Sequence, residues 1–109
     1  MTFEELFNEL KATGLPVAYS HFTESPTTPV PKPPFVTYID ASSTNFSADN
    51  RTYMKARNID IELYTKYKDL AIEEKIENML DENEMPYSYT ETWIESEKVF
   101  QKLYEVRMI

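Results

Sequence analysis

Residues 59–82 read IDIELYTKYKDLAIEEKIENMLDE, and within this stretch one strand runs into one helix. Ile59, Ile61 and Leu63 alternate with Asp60, Glu62 and Tyr64, the period-2 pattern of a strand with one buried face. Past a short Lys/Asp turn, Ile72, Ile76, Met79 and Leu80 recur at helical spacing, which predicts a helix over 68–82. Glu74, Glu77 and Asp81 are expected opposite that apolar stripe. Leu70 falls on their side, and helix geometry alone gives no reason for it.

Downstream, Met85-Pro86 ends the helix. Tyr87–Ile94 (YSYTETWI) and Val99–Ile109 (VFQKLYEVRMI) read as two strands joined by the polar turn Glu95-Ser96-Glu97-Lys98. In the last strand Phe100, Tyr104, Val106 and Met108 share a face. Upstream, the strand over 52–64 starts its apolar phase on even positions (Met54, Ala56) and ends it on odd ones. A period-2 element changes face only by gaining a residue, so a bulge or sharp twist is expected near Arg57–Asn58. The turn-formers SSTNFSADNR (42–51) link this strand to FVTYIDA (35–41), and the hairpin around 42–57 is expected to leave the body of the domain.

The N-terminal part is more regular. Thr2 with Glu5 makes a capping box, and Phe3, Leu6, Phe7 and Leu10 form one stripe, so a helix is expected over 2–13. Gly14, the only glycine, suits a helix end that needs positive φ. Val17–Phe22 reads as a short strand. Residues 23–34, TESPTTPVPKPP, cannot be helix or central strand, because proline lacks the amide donor and fixes φ. A stiff surface loop is the plain reading. A docking ligand of the PxxP type, at Pro26–Pro29 or Pro31–Pro34, is the sharper one, and only Lys32 offers the basic anchor it would want.

The order is therefore α-β-β-β-α-β-β. Tight turns pair strands antiparallel, which predicts an α+β fold: a mostly antiparallel sheet of about five strands with two helices packed on one face. At 109 residues the chain reads as a single domain over 1–109, with the proline-rich loop at 23–34.

Composition excludes several functions. With 19 acidic against 11 basic residues the net charge is −8, contrary to a protein that holds nucleic acid by neutralising phosphates, or one drawn to anionic lipid. The absence of cysteine rules out disulfides and thiolate metal sites. The acidic start MTFEELFNEL is unlike a signal peptide, and no apolar run approaches the ~20 residues of a membrane span, so an intracellular product is expected.

Catalytic constellations are equally sparse. His21 is the only histidine and has no nucleophile motif near it, and one glycine cannot make a phosphate loop. Glu73, Glu74, Glu77, Asp81, Glu82 and Glu84 offer oxygen ligands, yet carboxylates at helical spacing are far more often a solvated face. Trp93 with Tyr64, Tyr67, Tyr87, Tyr89 and Tyr104 would suit a stacking platform only in a basic groove. Core and protein-interface roles explain these aromatics better. No enzyme, cofactor or metal is expected.

The segment from about 52 to 109 resembles the tail terminator and head–tail joining proteins of siphophages and related prophages. The likeness rests on the strand ending IDIELYTKYKD, the acidic helix AIEEKIENMLDEN and the closing TETWIESEKVFQKLYEVRMI. The first helix and FVTYIDA fit the same order; the proline-rich loop is the least family-like part. The resemblance implies a non-enzymatic subunit of the virion tail, at the head–tail junction, made in the host cytoplasm. Such subunits form a ring, commonly a hexamer, that stops tail-tube growth and docks the head connector. Its partners are then itself, the tail tube protein and the connector or stopper protein. Genome DNA passes through without sequence recognition, and no membrane is involved. Two other readings stay open: a head-completion or connector subunit, and a monomeric host-side adaptor that binds a partner peptide by sheet-edge pairing. For the interface, Asn45, Phe46, Asp49, Asn50 and Arg51 at the hairpin tip are the expected contacts, since an aromatic among turn residues suggests one.

Overall fold

The computed structural model describes residues 1–48 and 51–108, with side chains described outside 44–55. Helix α1 (Phe3–Lys11) leads into β1 (Val17–Tyr19), β2 (Phe35–Ala48) and β3 (Arg51–Thr65); α2 (Leu70–Glu82) and the hairpin β4 (Tyr87–Ile94) and β5 (Val99–Met108) follow. Two helices and one five-stranded sheet make the expected α+β fold. The sheet order is β1-β2-β3-β5-β4, antiparallel throughout except for β1, which pairs parallel to β2.

Both helices start as their sequences dictate. Thr2 caps α1 by accepting from the Glu5 amide at 3.1 Å, and the Glu5 carboxylate reaches back to the Thr2 amide at 3.3 Å. Asp69 caps α2 by accepting from the Ile72 amide. Such caps contribute about 1 kcal/mol each. Gly14 carries the anticipated positive φ of 89°, two residues past the α1 C-cap Ala12. β1 is shorter than expected, because Ser20 turns into the left-handed region with φ of 67°.

The parallel β1–β2 pair gives the proline-rich segment a purpose. Parallel neighbours need a crossover of a dozen or more residues, and residues 20–34 make it. The crossover is anchored where Phe22 meets Phe35 edge-on at 5.2 Å. On the other side, α2 joins β3 to β4 while β5 lies between them, a split β-α-β unit.

Cross-strand register fixes the two faces. Val36, Tyr38, Ile59, Ile61, Leu63, Tyr104, Val106 and Met108 stand on one face and join Leu6 and Leu10 of α1 and Ile76, Met79 and Leu80 of α2 in a single buried cluster. The Phe3 ring of α1 lies against Tyr38, and the Arg57 guanidinium sits 5.1 Å over it. Glu73 and Glu77 of α2 reach Lys102 and Tyr104, which share that face. The opposite face carries Thr37, Asp60, Glu62, Tyr64, Gln101, Leu103 and Glu105.

Two expectations about the hairpin are corrected. Residues 42–48 continue β2 as strand rather than forming a broad turn. Their Ser, Thr and Asn residues favour turns, yet each pairs across to β3, from Ser42↔Asn58 to Ala48↔Arg51. The irregularity falls at the expected level of the sheet, but its extra residue is Ala41 of β2. β3 pairs with β5 without a break from Arg57 to Thr65, so it keeps its phase there. A second register shift lies between Phe46 and Ser47.

Candidate interaction surfaces

β5 ends opposite Arg57, whereas the β2–β3 pairing continues to Ala48↔Arg51. Among the described residues, β2 and β3 beyond that level pair only with each other, as a two-stranded arm, and the molecule measures 52 Å along its longest axis against 31 and 26 Å. The arm leaves the body beside an ion pair, Arg57 Nη1 to Asp40 at 3.0 Å, and beside the Asn58 amide, which donates to the Ser42 hydroxyl at 2.9 Å. Of the contacts expected from sequence, Asn45, Phe46 and Arg51 lie in this arm by their backbones, while their side chains lie outside the described residues, as do Asp49 and Asn50 altogether. A two-stranded ribbon is marginal in water on its own.

The second surface is the sheet edge at β4. Six of its eight residues are exposed, among them Tyr89 and Trp93 at 58% and 43%. Each aromatic is held from the strand beside it. Lys102 places its ammonium 4.0 Å over the Tyr89 ring, and Trp93 packs on Phe100 at 4.8 Å while its indole N–H donates to Glu95. Lys68, just before α2, donates to Glu91 of β4 at 2.9 Å and to Glu73 at 2.8 Å. That bridge ties the turn before α2 to the same edge, and Tyr67 and Leu70 on either side of it are exposed.

Between α2 and the sheet lies a cluster that sequence reasoning missed. Lys102 and Glu73 are 7% and 5% exposed and meet at 2.6 Å; Glu77 accepts from Lys102 at 3.2 Å and from the Tyr104 hydroxyl at 2.8 Å. Glu73 and Glu77 were expected on a solvated face. Instead Glu73 is buried and Glu77 half-buried, while Glu74, Asp81, Glu82 and Glu84 are exposed. Burial alone would raise the Glu73 carboxyl, but hydrogen bonds from Lys102 and Lys68 outweigh it and hold the group below the ordinary carboxylate value. Burial likewise disfavours the Lys102 ammonium, and its two carboxylates more than restore it. The Tyr104 phenol is pushed far up by burial and by its bond to Glu77. The signal was present in the strand pattern: Lys102 sits in phase with Phe100, Tyr104, Val106 and Met108, a cation on an apolar face. Such an intruder needs a buried partner.

The opposite sheet face, where Phe22 of the crossover packs on Phe35 and Thr37 is buried, carries most of the sheet's polar and acidic groups. Glu62 accepts from Thr37 and from the Tyr64 hydroxyl, and Gln101 donates to Tyr64. Burial and the bond to Glu62 push the Tyr64 phenol up to about 12. A shallow depression of about 650 Å³ is lined there by Ser42, Asn58, Asp60, Ser88, Glu105 and Arg107, among others. Burial raises the Asp60 carboxyl, and the charges of Glu105 and Glu62 raise it further. Because the folded value exceeds the unfolded one, ionised Asp60 costs stability at neutral pH, and that cost disappears as pH falls through the folded value. Asp60→Asn is accordingly expected to stabilise the protein at pH 7 by a few tenths of a kcal/mol, the scale of exposed charge interactions. Denaturant titrations at pH 7 and at pH 3 check this, with the gain confined to pH 7.

Among the described residues no group of three or more His, Asp or Glu side chains is placed to hold a metal ion, and no helix is long and apolar enough to cross a membrane. His21 is exposed and its Nδ1 lies 3.1 Å from the Ser20 hydroxyl. No family model matches the chain, and no curated protein matches it.

Proposed function

We propose that this chain is a structural subunit of bacteriophage tail assembly: a tail terminator that forms a ring, commonly hexameric, at the head-proximal end of the tail tube. It stops tube growth and offers the head connector a docking surface. The observation that carries the reading is the β2–β3 arm. A ribbon that leaves its own sheet at Arg57 needs a surface supplied by another subunit. Head-to-tail contacts of one arm with the next body generate a closed ring when the rotation closes. The resemblance of residues 52–109 to tail terminator and head–tail joining proteins points the same way. Net charge of −8, with Asp60, Glu62 and Glu105 on the sheet face opposite the helices' core cluster, suits a channel wall that repels passing DNA. The role is mechanical, without catalysis or cofactor, and its place is the head–tail junction of the virion.

The test is addition of the purified protein to polymerising tail tube protein, with tube length read by electron microscopy. Capping shortens the tubes, and a variant with residues 44–55 replaced by a short turn fails to cap. Tubes of unchanged length with the intact protein would refute the reading.

A further inference from the structure

We propose that two copies of this chain pair through β4, antiparallel and two-fold symmetric about Thr90, so that two five-stranded sheets become one continuous sheet. The backbone of β4 carries the first part of the inference. The Arg107 amide donates to the Pro86 carbonyl at 3.0 Å. Bonded and non-bonded pairs alternate along an antiparallel ladder. Ser88, Thr90 and Thr92 therefore bond to β5, and the N–H and C=O groups of Tyr87, Tyr89, Glu91 and Trp93 point outward.

Sheet edges are usually blunted by shortness, proline, lysine or a bulge. The β1 edge is blunted: it has three residues, the Tyr19 carbonyl is taken by the His21 amide, and prolines follow. β4 has none of these devices. It runs for eight residues without proline, lysine or register shift, and its one charge, Glu91, is already neutralised by Lys68. An edge of this kind is a template for another strand.

The sequence selects a second copy as that strand. In the register centred on Thr90, Tyr87 stands opposite the Trp93 of the second copy, and Tyr89 opposite its Glu91. On the other face, Thr90 meets Thr90, and Ser88 meets Thr92. Aromatic pairs and Thr–Thr pairs are favourable cross-strand neighbours. Moving the axis to Glu91 would set two carboxylates directly opposite, which the Thr90 register avoids. The proposal does not rest on the ring reading, because it uses β4 and leaves the arm uninvolved.

The native chain has no cysteine, so single cysteines read the register directly. Thr90 faces its copy at a non-bonded pair, where Cα atoms are about 4.5 Å apart, within disulfide range. Oxidation of Thr90→Cys is expected to give a covalent dimer at twice 12.8 kDa on non-reducing gels. Ser88→Cys or Thr92→Cys alone should not cross-link, whereas their mixture should. Thr90→Lys, at an exposed position that sets like charges face to face, is expected to sediment as a smaller species than the native chain, with an unchanged circular dichroism spectrum. Absence of the Thr90→Cys cross-link would overturn the proposal, as would equal cross-linking at position 88 alone. A ring whose size is untouched by Thr90→Lys, together with no cross-link, would reject this pairing while leaving the tail reading intact.

Discussion

Glu73→Ala is expected to destabilise the protein by on the order of 3 kcal/mol, several times the effect of most surface changes. The loss comes less from the attraction removed than from the cation left behind. Of its carboxylates Lys102, 7% exposed, would keep only Glu77 at 3.2 Å, and Lys68 would keep Glu91. Replacing both buried partners by apolar residues of similar length, Glu73→Leu with Lys102→Met, is expected to recover most of the loss, because no buried cation is then stranded and half-buried Glu77 still accepts from the Tyr104 hydroxyl. Urea titrations of the single and double variants check this, and a double variant no better than the single one would contradict it.

Glu73 also fixes the sign of the acid response. Its folded value lies below the ordinary one of 4.5, so its contribution is fully present above that value. It is lost as pH falls through the folded value. In Glu73→Ala this part of the loss of stability below about pH 4.5 should be missing.

Ile76→Ala carries the second large effect, expected at about 2–5 kcal/mol, because Ile76 is fully buried between α2 and the sheet and its truncation leaves a cavity. Phe7→Ala should cost less. Periodicity puts Phe7 on the same stripe as Leu6 and Leu10, but the ring is only partly buried at the rim of the core. Thermal unfolding of the two variants should order them Ile76 below Phe7, and equal midpoints would contradict the placement of α1.

These contrasts show where sequence reasoning held. Elements whose pattern is local and periodic were legible: the Thr2–Glu5 box, the α2 stripe, and the alternation in β3 and β5. What depended on partners was not. The run SSTNFSADNR is built of residues that favour turns, yet most of it is held in strand by its opposite number across the hairpin. The parallel β1–β2 pair could not be inferred from three residues of strand, although the long proline-rich crossover was its visible consequence. The bulge lies at the expected level but in β2 rather than β3, because the apolar phase of β3 carries no sign that Ala41 opposite it lacks a cross-strand partner. The Lys102–Glu73 pair required two polar intruders, on elements far apart in sequence, to be recognised as one contact. Of the surfaces, the β4 edge with Tyr89 and Trp93 emerges only once its neighbours are known.

The most direct test of the central claim is native mass spectrometry of the intact chain and of the variant with residues 44–55 replaced by a short turn, each alone and with tail tube protein. The intact chain should give a closed species of about six subunits, or twice that where β4 edges also pair, and the shortened variant should not. Identical mass distributions for the two proteins under both conditions would contradict the claim that the arm assembles the ring.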